Sequence, residues 1–243
     1  MRSDTTQPTT SRLDEKLLAH FDEMMNHLPA LPPGVAWLLP LRDEPECRRV
    51  FEAFLRKYYH DDKPRHLVLG INPGRFGAGL TNVAFTDPAH LLRCCGIDSA
   101  FPKREELSAR FIYRVVEAWG GPASFYKHFF VNSVVPFGFV KGGKNYNYYD
   151  SRQLERAVTP LACRHINGLI EAGMCADLCF CLGEGKNFQY LQRLNEQEGF
   201  FEKIIPLSHP RYIMQYRRKF LDQHLSDYLE ALGEVRNSHC GRS

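Results

Sequence analysis

Four short apolar runs, each followed by a stretch of helical periodicity, constrain this chain more than any other feature. They lie at 66–71, 128–136 ("HFFVNSVVP"), 177–183 ("DLCFCLG") and 201–210 ("FEKIIPLSHP"). The matching helical segments lie at 104–121, 154–173, 185–199 and 211–232, with Pro160 placed near the start of the second and the fourth read as one long helix. Two further amphipathic segments, 13–28 and 45–60, precede the first run. Strands this apolar are buried on both faces, and strand–helix alternation makes them parallel. The expectation is an α/β fold: a three-layer α/β/α sandwich around a central four-stranded parallel sheet. No repeat or linker divides the sequence, so 13–243 reads as a single domain and 1–12 as a disordered tail.

Composition excludes several classes. No apolar run approaches the ~20 residues of a membrane span, and "MRSDTTQPTTSR" has no apolar core of a secretory signal. The formal charge of +3 is weak evidence for an anionic partner, because clustering matters more than the sum. Eight cysteines invite a metal or disulfide reading, yet no C-x-x-C and no zinc-like Cys/His spacing occurs. Buried free thiols in a reducing cytoplasm are expected. Nothing in the spacing of Cys47, Cys94, Cys163 and Cys181 supports an iron–sulfur cluster.

In open parallel sheets chemistry gathers at the carboxyl ends of the strands. The first run ends in a loop, "GINPGRFGAG", that presents one carboxamide, Asn72, among glycines. The second run contains Asn132, and an unpaired buried amide costs about 1–3 kcal/mol, so that side chain needs a partner. The fourth ends at His209. Each has a plainer reading as a turn, network or capping residue, but three polar groups at strand ends of one sheet point to a site. The third run ends in "LGEGKN", which lacks the spacing and the Ser/Thr of a phosphate loop. No G-x-S-x-G elbow or metal-ligand cluster is present, which disfavours another hydrolase class.

"GINPGRFGAGLTNVAF" and "LSHPRYIMQYRR" resemble the two active-site motifs of the uracil-DNA glycosylase superfamily. The match is nearest to the single-strand-selective monofunctional enzymes and their bacterial relatives. Asn72, Pro73, Gly74, Phe76, Gly77, Thr81, Val83 and Phe85 fit the first motif; His209 and Pro210 begin the second; Asn132 and Pro136 fit the middle strand. One departure is that Arg211 follows Pro210 directly, where the family usually inserts a Ser-Pro segment, which suggests a bacterial side branch.

The resemblance implies a monofunctional glycosylase that hydrolyses the N-glycosidic bond of uracil in DNA and needs no cofactor or metal. Asn72 would orient the attacking water and His209 would donate to uracil O2. Ile71, Gly74, Phe76 and Phe85 would line the base pocket, with Phe85 stacking on the flipped base. Gly74 would leave room for small C5 substituents. Asn132 would accept from uracil N3–H and donate to O4, a pattern cytosine reverses. Ser208, Pro210, Arg211, Tyr212, Lys141, Lys144, Arg217 and Arg218 are the candidate DNA contacts, with Arg211 the side chain that fills the gap left by flipping. The implied partner is single- or double-stranded DNA, without a membrane, for a monomer in a bacterial cytoplasm. A non-catalytic DNA-binding descendant of the same fold is the rival reading.

Overall fold

The computed structural model describes residues 11–236 and 240. Most of the expected tail, 1–10, lies outside the described residues; Arg12 already caps the first helix through its N–H to Glu15. The elements in chain order begin with helix α1 (Leu13–Met24), strand β1 (Val35–Leu38) and helices α2 (Pro40–Asp43) and α3 (Pro45–Tyr58). Strand β2 (Arg65–Gly70) follows, then helices α4 (Ala78–Thr81), α5 (Pro88–Cys95), α6 (Leu107–Ala118) and α7 (Pro122–Tyr126). Strands β3 (Phe129–Ser133), β4 (Gly138–Lys141) and β5 (Lys144–Tyr146) lead to helix α8 (Arg152–Ala172) and strand β6 (Met174–Leu182). Helix α9 (Lys186–Glu198), strand β7 (Lys203–Leu207), and helices α10 (Pro210–Tyr216) and α11 (Leu221–Gly233) complete the fold.

Strands β3-β2-β6-β7 form the expected parallel sheet in that order. Every residue of β2 and β3 is buried. Because successive side chains point to opposite faces, both faces must be covered, as in a three-layer α/β/α sandwich. The parallel arrangement puts the carboxyl ends of all four strands along one edge. Among the described residues no helix is long and apolar enough to cross a membrane.

A second sheet, antiparallel in the order β1-β4-β5, was not expected. Its β4–β5 turn is Gly142-Gly143, both at positive φ (55° and 70°), the conformation a tight hairpin needs. The segment "KGGKNYNYYD", which carries the candidate DNA contacts Lys141 and Lys144, is largely this hairpin.

Three other expectations are corrected. The helix placed at 154–173 starts two residues earlier, with the Ser151 hydroxyl accepting the Leu154 N–H, so Pro160 lies well inside it. The final helix is broken at Arg217, whose φ of −124° ends α10 before a short 3₁₀ turn leads into α11. The cysteines are not all free: Cys175 and Cys240 form a disulfide across 65 residues, whereas the other six are thiols. Cys47, Cys94, Cys163 and Cys181 do not gather into a common ligand group among the described residues.

Candidate active site

A cleft of about 950 Å³ opens at the carboxyl edge of the parallel sheet. The loop after β2 supplies Ile71, Asn72, Gly74, Phe76 and Phe85; the turn after β6 supplies Gly183–Lys186; the end of β7 supplies His209. Of the expected base-pocket residues, only Asn132 is missing from the wall.

Asn72 is held at both ends of its amide. Its Oδ1 accepts the Tyr148 N–H at 3.1 Å, and its Nδ2 donates to the Tyr146 carbonyl at 3.2 Å. The unforeseen small sheet thus reaches the cleft, because the end of its last strand and the turn just beyond hold this carboxamide. An amide is too weak a base to deprotonate water, but with both ends fixed its oxygen keeps one acceptor direction for orienting a water.

Phe85 is one of two non-glycine residues at positive φ among the described residues, at 53°, and a phenylalanine there carries backbone strain. Gly70 makes the ring's position possible: a Cβ on that residue would stand 2.7 Å from Phe85 Cε2 and Cζ. The ring lies 5.8 Å from the His209 ring, centroid to centroid. Strain, close approach and neighbour together fix an aromatic surface beside an imidazole.

His209 caps α10, its Nδ1 accepting the Arg211 N–H at 3.1 Å. With Nδ1 an acceptor, the ring proton sits on Nε2, which is left as a donor. Part of the ring remains open to the cleft, yet protein crowds the rest. Burial, followed by the nearby Arg211 charge, lowers its pKa from the ordinary 6.5 to about 4. The side chain is therefore neutral at pH 7. A reaction that depends on this neutral donor should hold steady from pH 8 to about 5 and slow as the pH nears 4. A single-turnover rate profile with a midpoint near 6.5 would contradict that assignment. The stability sign agrees: the unfolded chain binds the proton first, so this contribution is complete above 6.5 and lost as the pH falls towards 4.

Asn132 lies beneath the cleft and is 5% exposed. Its Oδ1 accepts the Ser133 N–H at 2.8 Å and faces His165 Nε2 at 3.2 Å. His165 Nδ1 in turn faces His20 Nε2 at 2.8 Å, the two rings stacked. Burial lowers the pKa of both histidines, His20 to about 4 and His165 well below its ordinary value. Neutral rings satisfy the chain only one way: His20 donates to His165, and His165 donates to Asn132. This corrects the expected double role of Asn132. Its oxygen is engaged inward by the Ser133 N–H and His165, so it is not free to accept from uracil N3–H as expected.

The expected DNA contacts divide. Arg211 and Tyr212 line the cleft mouth. Pro210 is buried in the first turn of α10, where it sets the helix start, and so presents no surface to DNA. Ser208 donates to Glu184 at 2.6 Å and lies off the cleft wall. Lys141, whose Nζ stands 5.2 Å from the Tyr146 ring centre, and Lys144 sit on the hairpin; Arg217 and Arg218 follow α10; none lines the cleft.

Sequence reasoning missed Arg75, Arg104 and Tyr216. The guanidinium groups of Arg75 and Arg104 lie 4.9 Å and 4.4 Å from the Phe76 ring centre, so this base-pocket candidate is flanked by cation. Tyr216 is 67% exposed and packs on Tyr212 at 5.7 Å. The four-residue spacing of Tyr212, Tyr216 and Phe220 was the available signal, since exposed aromatics in a row rarely serve packing.

The sequence matches the model of the Uracil DNA glycosylase superfamily over residues 57–233. The chain belongs to the uracil-DNA glycosylase superfamily. The crystal structure of wild-type SMUG2 from Pedobacter heparinus is similar to it at 38% identity, with a TM-score of 0.90, covering 94% of this chain and 100% of that one. No curated protein matches this sequence. Within the superfamily chain, Asn72, Phe85 and His209 occupy one cleft at the sheet edge, as their motifs implied.

Proposed function

We propose that this DNA glycosylase-type protein hydrolyses the N-glycosidic bond of uracil in DNA, releasing the base and leaving an abasic site. The observation that carries the reading is the neutral His209, with its Nε2–H available in the same cleft as the clamped Asn72. A base inside a duplex is out of reach, so the nucleotide must leave the stack and enter the cleft. The flipped base stacks on Phe85. As the glycosidic bond lengthens, positive charge develops on the sugar and negative charge on uracil O2. His209 holds too little proton at pH 7 to protonate the base; it donates a hydrogen bond that strengthens as the charge grows. The Asn72 oxygen orients water toward the sugar, and no covalent intermediate with the protein is formed.

Base choice follows from the His20–His165–Asn132 chain. With its oxygen engaged by His165, Asn132 has its amide nitrogen left as a donor, which suits uracil O4 and not the amino group that cytosine carries there. Arg211 and Tyr212, at the mouth, are the groups placed to fill or cover the vacated stack.

Matched oligonucleotides carrying uracil or cytosine at one position test this reading. Uracil should be excised in single-stranded or duplex DNA, with cytosine disfavoured by roughly ten-thousand-fold, the discrimination typical of a hydrogen-bonding pocket. Equal turnover of the two bases would remove Asn132 from base recognition. Turnover of neither, with DNA binding intact, would favour the non-catalytic reading.

A further inference from the structure

At the opposite, amino end of the sheet lies a cluster that the glycosylase chemistry does not use. His66, the second residue of β2, faces an irregular stretch of β6. Arg65 pairs with Met174 and Leu67 with Cys179, so one residue of β2 stands opposite four of β6. The surplus residues present Cys175 and Asp177 towards His66. The ligand atoms of His66, Cys175 and Asp177 all lie within 4.8 Å of one another. His66 Nε2 stands 3.3 Å from Asp177 Oδ1. The second carboxylate oxygen, Asp177 Oδ2, is buried and has no hydrogen-bond partner among the described residues. A fourth donor is attached directly to the cluster: the Cys240 sulfur, bonded to Cys175.

A disulfide alone accounts for two sulfurs. It does not account for Asp177, whose Oδ1 accepts the Leu178 N–H at 2.9 Å and faces His66 while Oδ2, buried beside a histidine and two cysteines, has no partner among the described residues. We propose that, once the disulfide is reduced, Cys175, Cys240, His66 and Asp177 form a four-donor site for a divalent transition metal of the zinc type, which ties the C-terminal segment to the amino edge of the sheet. Thiolate, imidazole and carboxylate together suit zinc and not the all-oxygen preference of calcium or magnesium. With four protein donors the site is closed, and so structural.

The two states exchange by balanced chemistry. A cellular dithiol supplies two electrons and two protons, the Cys175–Cys240 bond breaks, two thiols form, and the dithiol becomes its own disulfide. Metal binding then releases the two thiol protons as both sulfurs become thiolates. The reverse exchange, with a cellular disulfide accepting two electrons and becoming a dithiol, re-forms the Cys175–Cys240 bond and releases the metal, so Cys240 stays tethered in either state.

Cobalt titration of the full chain tests this. After reduction with a phosphine that is then removed, the protein should bind one cobalt ion per chain. Thiolate-to-cobalt charge-transfer bands and the strong visible bands of tetrahedral cobalt should appear, and zinc should displace them. The unreduced protein should give neither. Cys240→Ser and Asp177→Ala should each weaken cobalt binding by at least roughly ten-fold, the loss caused by removing even a supporting partner of a metal ligand. Cys240 lies outside every helix and strand, and the reduced wild-type chain already lacks the disulfide, so Cys240→Ser is compared with it at equal folded fraction. No cobalt bands in the reduced chain, or bands unchanged in Cys240→Ser and so arising from the other thiols, would overturn the proposal.

Discussion

His209→Ala is expected to lower the single-turnover rate of uracil excision by roughly a hundred- to a thousand-fold, about 2.7–4 kcal/mol, the effect of removing one preorganised donor to a developing anion. DNA affinity should change little, because the lost contact strengthens only in the transition state. The substitution also removes the cap on α10, where His209 Nδ1 accepts the Arg211 N–H. That costs roughly 1 kcal/mol of stability. His209→Asn separates the two roles, since asparagine caps helices well but cannot place an N–H where Nε2–H stood. The asparagine variant should regain thermal stability and remain slow. Recovery of the rate along with the cap would mean that His209 serves the helix and not the reaction.

The second large effect is expected for Asn72→Ala. Excision should again drop by roughly a hundred-fold or more, the range for a group that acts on the transition state. This variant should also melt earlier. Removing the carboxamide leaves the Tyr148 N–H and the Tyr146 carbonyl without their partner, at a cost of about 1–3 kcal/mol. Rates must therefore be measured well below the melting transition, together with the folded fraction. A rate loss no larger than the loss of folded protein would make Asn72 a clamp for the small sheet and nothing more.

The parallel sheet was legible because its signal is local and repeated. Strands as apolar as "LVLG" and "LCFCLG" have few alternatives once helices separate them. Asn72 and His209 were legible for a related reason, as polar groups where apolar strands stop. The small sheet was not, because β1, β4 and β5 span only three or four residues each, too short to show a period. The break at Arg217 was hidden because no glycine or proline marks it and apolar residues continue at helical spacing beyond it. The commitment of Asn132 to His165 and His20 joins residues far apart in sequence, and only the packing of α1 against α8 brings them together. The Cys175–Cys240 pair was missed on the same ground, its partners being 65 residues apart without a motif.

The cleft is expected to cut one bond and stop. Incubation of the protein with a uracil-containing oligonucleotide, followed by mass detection of the released base and strand analysis before and after alkali, measures this directly. One free uracil per substrate, an intact strand before alkali and a break at the uracil position after it are expected. A strand that binds but stays intact after alkali, with no free uracil, would contradict that expectation.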